Sequence, residues 1–122
     1  LNTLVFSGAR LPLYIAEDGD VIEIRGTKSG IGYRGISPVQ QFEETIIPLT
    51  GKQTFYMATD GLIDQVGGAR RRMLGKARFK DILLSVQGLQ LEEQKRKINQ
   101  ALIEHQGDES RRDDVTVLGF RT

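Results

Sequence analysis

Thr59-Asp60-Gly61 closes an apolar run, Thr54-Phe55-Tyr56-Met57-Ala58, and Asp113-Asp114 opens another, Val115-Thr116-Val117-Leu118. A carboxylate at the end of an apolar strand is costly to dehydrate unless something positive meets it. If the two strands lie antiparallel in one sheet, or face each other across two, their acids meet at the same end. Like charges brought together raise one another's pKa unless a cation neutralises them. The chain has no cysteine and no histidine beside either acid. An oxygen-only cluster of this kind suits a hard ion such as Mg²⁺ or Mn²⁺. The competing reading is turn chemistry, because Asp-Gly after a strand is a common turn and the Asp side chain accepts backbone hydrogen bonds. Spacing alone leaves both open. Asp64 either caps a short helical turn through Leu62-Ile63 or faces solvent.

Positioning such acids takes strands. Period-two runs predict strands at Thr3 to Phe6, Leu11 to Ile15, Val21 to Arg25, Phe42 to Leu49, Thr54 to Thr59 and Asp114 to Arg121. Asp18-Gly19 predicts a tight hairpin, because both central residues of such a turn need positive φ. Phe42 to Leu49 and Thr54 to Thr59 are expected to pair across Thr50-Gly51-Lys52. Residues 26–38, with Gly26, Gly30, Gly32, Gly35 and Pro38, read as a long loop, and long loops in compact domains are often functional. Helical spacing of Phe79, Ile82, Leu83 and Val86 predicts a helix from Arg78 to Gln87. Leu91, Ile98 and Leu102 predict a second from Leu91 to His105. Strands followed by segregated helices indicate an α+β layered fold.

The bulk properties narrow the function classes. At 122 residues the chain is one domain in size. A net charge of +1 gives no electrostatic footprint for nucleic acid, and no apolar run reaches the length of a membrane helix. Without cysteine there is no disulfide framework and no thiol nucleophile. No nucleic-acid partner and no membrane contact from this segment are expected, and the location expected is cytoplasmic. The chain begins at Leu1 inside a strand-like stretch, so a fragment is expected; its open sheet edges would invite pairing into a homodimer.

The ordered set FSGARLPLYI, DGDVIEIRG, IGY, FYMATDGLIDQ, GKARFKDILL and DDVTVLGFR resembles the C-terminal half of the metal-dependent protein phosphatase (PPM) family. More narrowly it is similar to the bacterial branch typified by the stage II sporulation protein E phosphatase domain. The resemblance implies an antiparallel β-sandwich flanked by helices, in four α-β-β-α layers, here as its C-terminal part. It also implies hydrolysis of phosphoserine or phosphothreonine at a two-metal site, with Asp60 and Asp113 as metal ligands, Asp114 as a neighbour, and Gly61 admitting close backbone approach. Mn²⁺ or Mg²⁺ would be the cofactor, and two such ions remove any need for a nucleophilic side chain. The implied partner is a phosphorylated regulatory protein such as an anti-sigma-factor antagonist. The family's first metal motif, an Asp-x-x-Gly-His-Gly-like segment, has no counterpart in this sequence, so the fragment alone is expected to be inactive. A non-catalytic interaction module is the alternative. Arg10 stands where many relatives carry His, as either a phosphate contact or an ordinary strand-end charge.

Remaining charged features have plainer readings. Arg70-Arg71-Arg72 reads as a solvated loop before it reads as a contact for an acidic or phosphorylated protein surface or for nucleic acid. Arg111-Arg112 offsets the adjacent acids, and His105 is a helix C-terminal cation rather than a ligand.

Overall fold

Asp18 and Gly19 both have positive φ, 49° and 80°, and close the predicted hairpin. It joins β2 (Leu13–Glu17) to β3 (Asp20–Ile24). The computed structural model describes residues 2–27 and 42–122. The other strands are β1 (Thr3–Phe6), β4 (Thr45–Pro48), β5 (Thr54–Ala58), β6 (Val66–Gly67), β7 (Arg72–Met73) and β8 (Val117–Phe120). Three helices, α1 (Asp60–Ile63), α2 (Gly75–Ser85) and α3 (Leu91–Gln106), lie between β5 and β8 in sequence. Apart from Gly26, the glycines and proline of the predicted long loop lie outside the described residues.

One antiparallel sheet has the order β3-β2-β5-β8, a second pairs β1 with β4, and β6-β7 forms a small ribbon. Side-chain alternation along β2 and β5 sends Tyr14, Ala16, Tyr56 and Ala58 to one face, where they pack with Phe79, Leu83, Ile98 and Leu102 of α2 and α3. Leu13, Ile15 and Phe55 point the other way, onto Phe6 and Ile47 of the β1–β4 pair. Sheet on sheet with helices outside is the predicted α+β sandwich, with three of its four layers among the described residues. Phe79 is fully buried and meets Tyr14 edge-on, ring centroids 5.1 Å apart. Burying such a ring contributes about 2–3 kcal/mol.

Three expectations need correction. β4 and β5 do not pair with each other: β4 joins β1, and β5 runs between β2 and β8. The connection through Gly51 (φ 81°) crosses from one sheet to the other. Gln53 replaces the ladder there, its Oε1 accepting from Thr50 N at 3.1 Å and its Nε2 donating to Pro48 O at 3.2 Å. The helix predicted to end at Gln87 ends at Ser85, where i→i+3 bonds such as Gln87 N to Leu84 O tighten the chain toward Gly88 (φ 85°). Finally, Arg70-Arg71-Arg72, read as a solvated loop, are exposed, but Arg72 belongs to the β6–β7 ribbon.

Candidate active site

The β5–β8 ladder ends at the pair Ala58 and Val117. One step beyond, Thr59 N donates to Thr116 O and Thr116 N donates to Thr59 Oγ1, each at 3.0 Å. Those bonds carry the antiparallel register past the last strand residues, so Asp60 and Asp113-Asp114 emerge at the same sheet end. Gly61 measures how close they come. A Cβ added at Gly61 would sit 2.1 Å from Asp114 O and 3.4 Å from Asp113 Cβ. The glycine is required by close backbone approach and not by a positive φ. Gly61 is buried while Asp60, Asp113 and Asp114 are exposed.

Asp60 opens α1 and so heads a helical turn. Asp64 does not cap that turn's start: it is the C-cap, its N–H donating to Asp60 O at 2.8 Å. Helix formation begins two residues earlier than the apolar Leu62-Ile63 pair suggested. One Asp113 carboxylate oxygen accepts from Asp114 N at 2.7 Å, which orients the side chain locally. Arg112, Asp64, Gln65 and Met73 line, with Gly61 and Asp113, a cavity of about 490 Å³ beside the acids. Arg10 is exposed in a left-handed conformation, φ 62°, its N–H donating to Thr27 O at 2.7 Å.

A model of the family described as stage II sporulation protein E (SpoIIE) matches residues 2–122. The chain belongs to the SpoIIE family. Among solved structures it is similar to the SiaA-PP2C domain of Pseudomonas aeruginosa, with 36% identity and a TM-score of 0.86 over 98% of this chain. It spans 46% of the length of that domain. A search of curated proteins finds no match. The SpoIIE family is a phosphatase-domain family, and PP2C-type phosphatases are generally metal-dependent.

The donor set of this SpoIIE chain fits such an ion in kind but not in number. Carboxylate oxygens suit hard divalent cations, yet among the described residues no group of three or more His, Cys, Asp or Glu side chains is arranged to hold one.

Two residues near the acids carried no sequence signal of their role. Gln65 is buried, and its Nε2 donates to Val66 O at 3.0 Å and to Ser110 O at 3.1 Å, tying the ribbon to the segment that leads into Asp113. Its Oε1 has no partner among the described residues. His105, read as a helix C-terminal cation rather than a ligand, places Nε2 at 3.0 Å from Gln65 O and 3.1 Å from Arg72 O. Both contacts span more than thirty residues of sequence, which no local pattern reports.

Proposed function

We propose that this chain is the C-terminal portion of the catalytic domain of a metal-dependent protein serine/threonine phosphatase, with Asp60 and Asp113 as metal ligands. The observation that carries the reading is their juxtaposition across the end of the β5–β8 pair, locked by the Gly61 contact with Asp114. Family membership supports the reaction class. A divalent ion, Mn²⁺ or Mg²⁺, would supply Lewis-acid activation of water and charge neutralisation for the phosphoryl oxygens. The chain's own residues do the rest: Asp60 and Asp113 supply anionic oxygen donors, Gly61 lets the two acidic segments touch, and the Asp114 N–H steers the Asp113 carboxylate. We place the substrate among serine-phosphorylated regulatory proteins of a bacterial cytoplasm, such as an anti-sigma-factor antagonist. The length of the SiaA domain relative to this chain supports a site completed by residues outside it, and hence an inactive isolated segment.

The test is phosphate release from a phosphoserine protein by the full-length protein, dependent on Mn²⁺ or Mg²⁺. Asp60→Asn is expected to lower the rate at least about 100-fold, the usual size of losing one group that stabilises developing charge. Retained full activity would remove Asp60 from the site. A second reading, a non-catalytic interaction module, draws on the absence of a three-donor group among the described residues. It predicts no metal-dependent phosphate release and no calorimetric Mn²⁺ binding by the full-length protein.

A further inference from the structure

The β6–β7 ribbon has only two residues in each strand, Val66-Gly67 and Arg72-Met73. An isolated ribbon that short is not stable in water. It is held by the Leu74 N–Gln65 O bond, by Gln65 on Ser110, by Arg71 on Glu109 and by the last turn of α3. His105 O accepts from Gly68 N at 2.8 Å, and Gly67 lies so close that a Cβ there would sit 1.8 Å from the same oxygen. The His105 ring reaches the other strand as well, with Nε2 within hydrogen-bond distance of Gln65 O and Arg72 O. Both acceptors are carbonyls, so Nε2 carries the hydrogen and donates to the two together. One residue thus contacts the residue before β6, the first residue of β7 and the first turn residue.

What the ribbon presents is a surface next to the acids. Val66 and Met73 line the cavity that Asp113 also lines, and Met73 is 59% exposed. Arg70 and Arg72 are exposed at the tip, whereas Arg71 turns back onto Glu109 at 2.7 Å. Arg112 lines the same cavity as Met73, and an apolar, polarisable side chain with a guanidinium in one cavity suits an acidic polypeptide around a phosphorylated residue.

Resting on the phosphatase reading above, we propose that His105 is a positioning residue for substrate capture. It holds the β6–β7 ribbon beside Asp113 so that Met73, sharing a cavity with Arg112, meets the polypeptide flanking the phosphoserine. The role concerns recognition of the polypeptide and not the chemistry at phosphorus.

The test compares His105→Ala with His105→Gln, which keeps an N–H donor near the Nε2 position, in the full-length Mn²⁺-loaded protein. Phosphocasein serves as the acidic polypeptide and p-nitrophenyl phosphate as the small ester. For His105→Ala, KM for phosphocasein is expected to rise about tenfold, with kcat and both constants for the small ester within about twofold; His105→Gln restores KM. In parallel, trypsin cleavage after Arg70 to Arg72 is expected to accelerate about tenfold in the Ala variant and not in the Gln variant, since local opening governs such cuts. Equal loss on both substrates, or unchanged cleavage, overturns the proposal. No phosphate release by the unaltered protein would instead remove the phosphatase reading and the capture role with it, leaving cleavage to decide the tether alone.

Discussion

Polar groups occur both on the helix-covered face of the four-stranded sheet and at its β5–β8 end, and the two regions treat them in opposite ways. On the covered face Glu23, Tyr14, Tyr56 and Gly119 stand in register across β3, β2, β5 and β8. Tyr56 OH donates to Gln94 Oε1 and accepts from Gln87 Nε2 at 2.9 Å, while Gln94 Nε2 donates to Leu89 O at 3.1 Å. Glu23 is paired with Lys76 at the start of α2, 3.1 Å away. Polar atoms there are nearly all satisfied inside the fold and hold α2 and α3 against the sheet. At the sheet end, Asp60, Asp113 and Asp114 are exposed, their segments brought together by the close approach at Gly61. Internal satisfaction marks a structural group, and the proposed metal ligands are the ones left outside it.

Breaking the end region is expected to have the largest effect. Gly61→Ala puts a methyl against Asp114 O and forces the two acidic segments apart, costing about 3 kcal/mol of stability, the upper part of the overpacking range. Urea unfolding checks the first consequence. Calorimetric titration of Mn²⁺ into the full-length protein checks the second, a weakened metal affinity. A variant that matches the parent in both would show that the strand ends are not in contact.

Breaking the covered face should disturb stability and leave phosphate release intact. Tyr56→Phe strands the Gln94 carbonyl in a buried site and is expected to cost about 1–3 kcal/mol. Thermal unfolding alongside an activity assay reads the difference. A large loss of turnover at full stability would merge the two regions that the comparison separates.

The smallest effect at neutral pH belongs to Tyr14. Its hydroxyl is buried without a partner among the described residues, so Tyr14→Phe is expected to shift stability by less than about 1 kcal/mol. Alkali brings the residue out. Burial first, and then the nearby Glu23 carboxylate, push the Tyr14 phenol up to about 12 from its usual 10. The folded chain therefore keeps a proton that the unfolded chain releases. The stabilisation is complete below pH 10 and is lost as pH climbs toward 12, at about 1.4 kcal/mol per unit. Tyr56 is also raised, by burial, though its bond from Gln87 works against the shift. Tyr14→Phe should remove part of this alkaline slope in denaturation curves, with Tyr56 supplying the rest; an unaltered slope would contradict the burial argument.

Much of this molecule was written locally. Asp18-Gly19 fixed a hairpin because only a few residue types accept positive φ at both turn positions. Leu91, Ile98 and Leu102 traced the buried stripe of α3 because helical periodicity reports one face. Asp60 and Asp113 stood out because charge at the end of an apolar strand is anomalous.

Tertiary structure decided whatever depended on a partner distant in sequence. Gln94, on the apolar stripe of α3, is buried because Tyr56 lies opposite it. β4 pairs with β1 because Gln53 satisfies the backbone at the crossing, an arrangement that strand patterning cannot distinguish from a hairpin. His105 reads as surface until the ribbon folds back onto it. Sequence determined which residues carried charge, turn and periodicity, since those are properties of a residue and its near neighbours. Which of them touch was settled only by packing, since contact depends on how separate elements share one core.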